Sequence, residues 1–288
     1  MRARSIIAAT AAAALAIISA PAGALAAPTP AGVQFAFQNI FPSTPPTPTD
    51  PARHVKADVP CPSGHQVTGS GAGPNPGQIT PTPDFTKATV EGGVIFGSGP
   101  GYVVGELVCA PSSQFGDVIT SRVNDHTVKA GTWHRTVAKC PPGTYAFGGG
   151  GSFGNVSGSM EESGPTLDGQ NWAFTGFVPR GTRTLTVTTR CAPRIGRNFL
   201  ATFASPVATA PNIQNLSGYA VCPAGYQMIS GGFHVTNANG TPHIPTLQGS
   251  IPIWTIPVPT ASNRNSSWFA NVWVPKGTFL SIVAQCVF

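Results

Sequence analysis

The chain contains 288 residues, of which 41% are hydrophobic and only 9% are charged, and its formal net charge at pH 7 is +6. This share of apolar residues excludes a disordered polar chain, and the small positive charge does not indicate a nucleic-acid partner. The 34 glycines and 30 prolines, without any sustained 3.6-residue apolar period, favour strands joined by frequent turns.

The first 26 residues have the three zones of a secretory signal peptide. Arg2 and Arg4 give a positive start, an apolar stretch follows over residues 6–18, and Ala24-Leu25-Ala26 forms a small-residue exit. The apolar stretch is too short to span a bilayer comfortably, and no other stretch is long and apolar enough. We therefore expect a signal peptide over 1–26, a mature chain without a transmembrane segment, and a secreted, extracellular protein with oxidised cysteines.

The cysteines divide the mature chain into repeats, and they are Cys61, Cys109, Cys140, Cys191, Cys222 and Cys286. The second and third are 31 residues apart, and so are the fourth and fifth; both segments begin Cys-Ala-Pro. Counting 31 residues back from the first cysteine leads to Pro30, just after the expected cleavage site. The spacing therefore predicts three β repeat units, over residues 27–109, 110–191 and 192–288.

The same motif opens each unit. It is C-P-x-G-x₄-[GS]-[GS]-G, and it begins at Cys61, Cys140 and Cys222. The proline fixes φ after the cysteine and the first glycine provides a turn. The later triplet predicts a β-bulge or the close approach of another backbone. A motif that recurs in every unit is better explained by folding than by a single active site.

The repeat also predicts how the cysteines pair. If each unit closes on itself, the disulfides are Cys61–Cys109, Cys140–Cys191 and Cys222–Cys286. This is one of the fifteen pairings that six cysteines allow, and the repeat is the argument for it. Each bridge would close a loop of roughly fifty residues and contribute about 4 kcal/mol in the chain-entropy model.

The closing half of units 2 and 3 contains a strand, a turn and a second strand. Trp172 and Trp268 begin the first strands, and a Pro-[KR]-Gly-Thr turn follows each of them. Residues 184–188, Thr-Leu-Thr-Val-Thr, alternate with the period of a half-buried strand. Apolar strand-like stretches also precede the opening cysteines, at 33–40, 118–123 and 199–203. We predict an all-β fold whose three repeats form one pseudo-threefold body; the alternative is three small β domains in tandem.

The C-P-x-G opening, the glycine triplet, the tryptophan strand and the closing cysteine resemble repeats in secreted proteins of high-GC Gram-positive bacteria, whose function is largely unassigned. This resemblance covers essentially the whole mature chain. The threefold repetition is also similar to that of β-prism proteins, in which three sheets surround a pseudo-threefold axis, as in egg vitelline membrane outer layer protein and some lectins. This second resemblance implies a β-prism-like arrangement and carbohydrate binding.

One set of candidate residues would make the chain a hydrolase. Ser152 lies in a G-x-S-x-G sequence, and Asp168 followed by His234 or His243 has the chain order of a hydrolase triad. That motif belongs between a strand and a helix of an α/β sheet, and the sequence shows no such context. The overlapping G-x-G-x-x-G at 149–154 is not followed by a helix either, so we expect no dinucleotide cofactor.

The remaining chemical candidates are carboxylates and histidines. Glu161 and Glu162 are adjacent, and neighbours on a strand point to opposite faces, so we interpret the pair as part of a turn or a solvated edge. The six histidines lack the spacing of metal ligands and are interpreted as scattered surface residues, so we expect no metal. Unit 3 contains no aspartate or glutamate and cannot supply a carboxylate.

Two regions are candidates for binding. Arg180 and Arg183 belong to a group of five arginines in residues 180–197. This group either contacts anionic envelope polymers or membrane surfaces or protects a solvated strand edge.

Unit 3 also has an additional apolar, proline-rich segment between its cysteines, which includes Ile253, Trp254 and Ile256. Closely spaced prolines oppose a central strand and favour an extended surface loop. That loop either covers the end of unit 3 or docks on a partner through Trp254.

The sequence therefore predicts a secreted, disulfide-stabilised, non-catalytic binding or structural protein of the cell exterior. Its expected partners are a glycan, a cell-envelope polymer or a protein, and no nucleic acid. The alternative is a secreted hydrolase that uses Ser152 or the pair Glu161 and Glu162.

Overall fold

The computed structural model describes residues 32–50, 52–73, 76–95, 101–115, 119–153, 159–178, 181–193, 198–211, 213–239, 254–258 and 267–287. Within these ranges the chain forms eighteen β-strands and one short 3₁₀ helix, Ser112–Gln114. No helix in this part of the chain is long and apolar enough to cross a membrane. The all-β class is confirmed, and the predicted signal peptide lies outside the described residues.

Each predicted unit contains six of these strands. Those of unit 1 are β1 (Gln34–Ile40), β2 (Ala52–Pro60), β3 (His65–Gly73), β4 (Pro76–Pro81), β5 (Lys87–Ile95) and β6 (Val103–Pro111). Those of unit 2 are β7 (Ile119–Val128), β8 (Trp133–Lys139), β9 (Thr144–Ser152), β10 (Ser159–Pro165), β11 (Asn171–Phe177) and β12 (Arg183–Pro193). Those of unit 3 are β13 (Asn198–Ala204), β14 (Gln214–Val221), β15 (Gln227–Asn237), β16 (Trp254–Val258), β17 (Ser267–Val274) and β18 (Thr278–Val287).

The strands form three six-stranded antiparallel sheets, and every sheet combines two units. Sheet A has the order β1-β6-β3-β16-β17-β14, sheet B the order β13-β18-β15-β10-β11-β8, and sheet C the order β2-β5-β4-β9-β12-β7. In each sheet one unit gives its first, sixth and third strands, and another gives its fourth, fifth and second. The two halves meet through single residue pairs, which are Ala72 with Thr255, Ser163 with Phe233, and Ile79 with Gly151.

The three disulfides are those that the repeat predicts. Cys61 pairs with Cys109, Cys140 with Cys191, and Cys222 with Cys286, and no cysteine is free. Each bridge joins the segment before a unit's third strand to its sixth strand. Because those two strands are neighbours in one sheet, the disulfide reinforces an existing strand pair. The pairing within units is confirmed.

The glycine triplets allow both features that the sequence suggests. The third strand of each unit shifts its register by one residue against the sixth strand, just before or within the triplet. A β-carbon on Gly232 would collide with the backbone of Gly164, and β-carbons on Gly149 and Gly231 would collide with the rings of Trp172 and Trp268. Both tryptophans are fully buried in a hydrophobic cluster drawn from all three units. Glycine is therefore required where the large rings cover the backbone.

The proline-rich segment of unit 3 contradicts the prediction of an extended surface loop. Residues Trp254–Val258 form β16, which lies inside sheet A between β3 and β17. Proline is tolerated in β16 because this strand pairs with β3 only at Thr255, so Pro257 does not donate to that neighbour. The rest of the segment, 240–253 and 259–266, lies outside the described residues.

Candidate functional site

A row of polar side chains crosses four neighbouring strands of sheet B. It consists of His234 on β15, Glu162 on β10, Thr175 on β11 and Arg135 on β8, and we call it the polar row. The strand register places Glu162 opposite Thr175 and Thr175 opposite Arg135. The single residue pair that joins β10 to β15 sets His234 beside Glu162. The row therefore extends across the junction between units 2 and 3.

Glu162 lies at the centre of the polar row with both oxygens fully occupied. Its Oε2 accepts hydrogen bonds from Arg135 Nε at 2.8 Å and from Thr175 Oγ1 at 2.5 Å. Its Oε1 accepts from Arg135 Nη2 at 3.1 Å and from His234 Nδ1 at 2.7 Å. The residue is only 4% exposed. Four donors from three strands thus hold the carboxylate in one orientation.

His234 is buried between two oxygen acceptors. Its Nδ1 lies 2.7 Å from Glu162 Oε1, and its Nε2 lies 2.8 Å from the carbonyl oxygen of Pro165. A neutral imidazole donates from one nitrogen only, so both hydrogen bonds require the positively charged ring. The interpretation of all six histidines as surface residues is therefore wrong for His234. His234 is buried because it lies where units 2 and 3 meet, and its neighbours in the sequence do not reveal that position.

Glu161 and Glu162 are adjacent, yet their pKa values move in opposite directions. Burial alone would raise the pKa of Glu162, but the hydrogen bond and charge of His234, with Arg135, outweigh burial and lower it to about 2. Burial, together with the charge of its neighbour, raises the pKa of Glu161 to about 9. At neutral pH Glu162 is ionised, whereas Glu161 is protonated.

A β-bulge explains how two adjacent carboxyl groups are both buried. The register of β10 against β11 shifts between Met160 and Glu162, so Glu161 has no partner on β11. Glu161 is 2% exposed, and neither of its carboxyl oxygens has a hydrogen-bond partner among the described residues. The prediction that this pair lies in a turn or a solvated edge is wrong. The bulge breaks the simple alternation of faces on which that prediction depended.

The polar row forms one wall of an open cleft with a volume of about 320 Å³. The cleft is lined by Arg135, Glu162, Thr166, Leu167, Asp168, His234 and Thr236. Asp168 is held in the turn after β10, where it accepts hydrogen bonds from Thr166 Oγ1 and from the backbone N–H of Gln170. Leu167 is 57% exposed and gives the cleft an apolar surface. The hydroxyl of Thr236 has no hydrogen-bond partner within the described ranges.

The polar atoms of the cleft suit binding better than catalysis. Arg135 and His234 carry positive charge, while Glu162 and Asp168 carry negative charge, so the formal charges balance. Such a site favours an uncharged ligand with several hydroxyl groups, which can both donate and accept hydrogen bonds. The ordering of the charged side chains before a ligand arrives reduces the entropy that binding must overcome.

Within the described part of the chain, the structure does not assemble the candidate hydrolase triad. Both nitrogens of His234 are bound, to Glu162 and to the Pro165 carbonyl group, so this ring is not available as a base for Ser152. Ser152 lies at the end of β9 opposite Thr186, inside a sheet, and not on a turn between a strand and a helix. His243 lies outside the described residues.

The predicted binding residues lie in other parts of the molecule. Arg183 is exposed at the start of β12, whereas Arg180 and Ile253 lie outside the described residues. Trp254 and Ile256 belong to β16, opposite Asn271 and Phe269 of β17 in register. A role for these five residues in binding remains a prediction from the sequence.

Among the described arginines of the basic group, Arg183 and Arg190 do not lie on an edge strand. The strand β12 lies between β9 and β7, inside sheet C. Farther along it, the guanidinium of Arg190 lies over the rings of Phe85, at 4.9 Å, and Phe147, at 5.9 Å. Burial lowers the pKa of Arg190. Arg190 therefore packs between units 1 and 2 as a cation–π partner and is not part of a surface cluster.

Sequence reasoning missed Arg135, Thr175 and Thr236. Arg135 carried one usable signal, because it precedes the opening cysteine of unit 2 by five residues, as Lys56 does in unit 1. Aligning the units on their cysteines would have shown a cation at the same repeat position twice. Nothing in the sequence pairs Thr175 or Thr236 with Glu162, since their proximity depends on sheet register.

Comparisons with known proteins and the search for metal ligands add no assignment. No group of three or more histidine, cysteine, aspartate or glutamate side chains in the described ranges could hold a metal ion. No protein-family model matches the chain, and no curated protein is similar to it. The function must therefore be argued from the geometry of this molecule.

Proposed function

We propose that this chain is a secreted, non-catalytic binding protein of the cell exterior, and that the cleft on sheet B binds one unit of an uncharged carbohydrate. The observation that carries the proposal is the polar row, in which four hydrogen bonds fix the buried Glu162 carboxylate at the wall of an open cleft. The groups in the cleft that a sugar hydroxyl can bind are the N–H groups of Arg135 that do not bond to Glu162 and the Oδ2 oxygen of Asp168.

The balance of charge in the cleft supports an uncharged ligand. An anionic ligand would meet Glu162 and Asp168, and a cationic ligand would meet Arg135 and His234. A sugar unit avoids both repulsions, and its C–H surface can pack on the exposed side chain of Leu167.

The sharing of sheets supports the proposal of one pseudo-threefold, β-prism-like body. Unit 1 shares sheet A with unit 3, unit 3 shares sheet B with unit 2, and unit 2 shares sheet C with unit 1. This cyclic exchange closes after three steps and leaves no unit with a complete sheet of its own. Three beads in tandem would instead keep their strands within units.

Secretion is supported by two independent features. The first 26 residues have the zones of a signal peptide, and the chain forms three disulfides, which persist in oxidising compartments. The likeness to secreted repeat proteins of high-GC Gram-positive bacteria points in the same direction. We propose that the protein acts outside the cell.

The carboxyl groups give the hydrolase alternative little support. A general acid must hold a proton near the working pH, but the pKa of Glu162 is about 2. Glu161 holds its proton, because its pKa is about 9, but it is 2% exposed. It does not reach a substrate in the cleft, since it is not among the residues that line it.

The test is to measure sugar binding with the apolar surface of the cleft removed. A panel of uncharged mono- and oligosaccharides is screened with the mature protein, and affinity for the best ligand is measured by calorimetry. The variant Leu167→Ala removes the exposed side chain on which a sugar ring would pack, so we expect about three- to tenfold weaker binding. Val207→Ala, which shortens an apolar side chain that is 41% exposed and does not line the cleft, is the matched control and should bind like the wild type. If no sugar in the panel binds, or if both variants bind equally, the proposal is wrong.

A further inference from the structure

A second surface, on sheet A, combines exposed aromatic rings with a pair of side-chain amides. It is formed by the outward residues of β14 and β17, which are Asn215, Ser217, Tyr219, Phe269, Asn271 and Trp273, and we call it the aromatic–amide face. The strand β14 is the last strand of its sheet and alternates strictly between exposed and buried residues from Asn215 to Val221. The face therefore lies at the edge of sheet A as the described strands form it.

The aromatic rings lie on both strands. Tyr219 and Phe269 are paired across the strands, with their ring centroids 4.9 Å apart and their planes tilted by 42°. Trp273 lies four residues beyond Phe269 on the same side of β17, about 13 Å away at the rise of an extended strand. Tyr219 is 49% exposed and Trp273 is 40% exposed. Three rings thus line a strip long enough for more than one sugar ring.

The amides occupy the space between these rings. Asn215 Nδ2 donates to Asn271 Oδ1 at 2.7 Å, and Asn271 Nδ2 donates to Asn215 Oδ1 at 3.3 Å. This reciprocal pair holds the two amides in fixed positions. Each amide still has a second N–H and a second lone pair with which to bind a ligand. The neighbouring Ser217 adds a hydroxyl, so polar groups interrupt the aromatic strip.

The face carries no charge. Neither β14, with the sequence QNLSGYAV, nor β17, with the sequence SWFANVWV, contains an acidic or basic residue. Unprotected edge strands usually carry lysine, arginine, glutamate or proline, and β14 has none of these. A charged polymer would find no counter-ion here, so the complementary partner is uncharged.

We propose that the aromatic–amide face binds a chain of uncharged sugars, a neutral polysaccharide. The C–H faces of sugar rings stack on Tyr219, Phe269 and Trp273, and their hydroxyls bond to the fixed amides. A lipid surface is a poorer partner, because it would bury the amides and Ser217 without new hydrogen bonds. This inference does not depend on the cleft of sheet B, which lies on a different sheet.

The register of sheet A links this face to the tryptophan that the sequence singled out. The strand β16 is the next neighbour of β17, with Trp254 opposite Asn271 and Ile256 opposite Phe269. Trp254 and Ile256, for which the sequence predicts a binding role, therefore belong to the strand next to β17.

The experiment measures co-sedimentation of the mature protein with insoluble cellulose and chitin, which are both uncharged polysaccharides. We expect the wild type to bind at least one of them, and Tyr219→Ala and Trp273→Ala to weaken binding about tenfold. Trp273→Phe keeps a ring and should retain most of the affinity. Phe37→Ala is the matched control, because Phe37 is an exposed aromatic residue, 72% exposed, on the opposite edge strand of the same sheet. It should bind like the wild type.

Several results would overturn the inference. It is wrong if neither polysaccharide binds, or if Phe37→Ala weakens binding as much as Tyr219→Ala. It is also wrong if ultracentrifugation shows a dimer that Tyr219→Ala dissociates, since β14 would then pair with a second copy. The cleft of sheet B is tested with soluble sugars and Leu167→Ala, whereas this face is tested with insoluble polysaccharide and Tyr219→Ala, so the two sites can fail separately. If thermal denaturation shows that Trp273→Ala is unfolded, Tyr219→Ala on the edge strand decides the question.

Discussion

Sheets B and C place ion pairs at corresponding positions, but the two sites differ in burial. Arg135 and Lys56 each precede the opening cysteine of their unit by five residues, and each faces the fifth strand of that unit, at Thr175 and Glu91. In sheet C the carboxylate of Glu91 pairs with Lys56 at 2.5 Å and with His54 at 3.4 Å. In sheet B the carboxylate lies one strand farther on, as Glu162.

This shift by one strand changes the chemistry of the site. Lys56 and His54, which form ion pairs with Glu91, belong to unit 1, and Lys56 is 50% exposed. Glu162 instead lies next to the junction, where unit 3 contributes His234, whose side chain is 6% exposed. Both carboxylates are buried, but the one beside the junction has a buried cation from a second unit, whereas the one within a unit keeps a solvated partner. The difference indicates that the junction between units, and not the repeat position, supplies the buried cationic partner.

The largest expected effect is a difference in protein stability between variants of Glu162 and Glu91. Glu162→Gln would leave the buried His234 and the partly buried Arg135 without their counter-charge, so we expect a loss of about 4 kcal/mol. Glu91→Gln should cost about 1 kcal/mol, because Lys56 can turn into water. Urea denaturation at pH 7 measures both. Equal losses in the two variants would mean that the junction adds nothing to the ion pair.

The loss of stability at acidic pH also distinguishes Glu162 from Glu91. The pKa of Glu162 is lowered from an ordinary value of 4.5 to about 2. Its contribution to the free energy of unfolding is therefore complete above pH 4.5 and is lost as the pH falls toward 2. The shift corresponds to about 3 kcal/mol. We expect thermal denaturation between pH 5 and pH 2 to show a steep loss for the wild type and for Glu91→Gln. The curve of Glu162→Gln should be flatter, and an unchanged slope in that variant would contradict the assignment.

A further prediction concerns Glu161 and has the opposite sign. Its pKa is raised from 4.5 to about 9, so the stability that its protonated side chain provides is complete below pH 4.5 and is lost as the pH rises toward 9. Glu161→Gln cannot ionise, so we expect it to be more stable than the wild type at pH 8, where only the unfolded wild type releases this proton. At pH 4 the two proteins should be equally stable, since both side chains are then neutral. A variant that is destabilised at both pH values would show that the carboxyl group makes a specific contact.

Much of the scaffold could be predicted because its signals repeat. The spacing of 31 residues and the opening motif gave the three disulfides, and the alternation at 184–188 gave a strand, found as β12. The prolines around Trp254 misled the prediction, because a strand that pairs weakly on one side can contain proline. The expectation that proline is excluded from a central strand does not consider how the neighbouring strands pair with it.

The sequence by itself determined the all-β class, the pairing of the cysteines and the turns and bulges beside the glycine triplets, since these depend on local backbone geometry repeated three times. Only the tertiary structure decided that Glu162 lies beside His234, 72 residues away, and that Glu161 loses its water. Both follow from strand exchange between units, and a bulge of one residue fixes the faces involved. The burial and the hydrogen-bond partners of a side chain at a junction depend on which strands pair there. The local spacing of residues in the sequence does not specify that pairing.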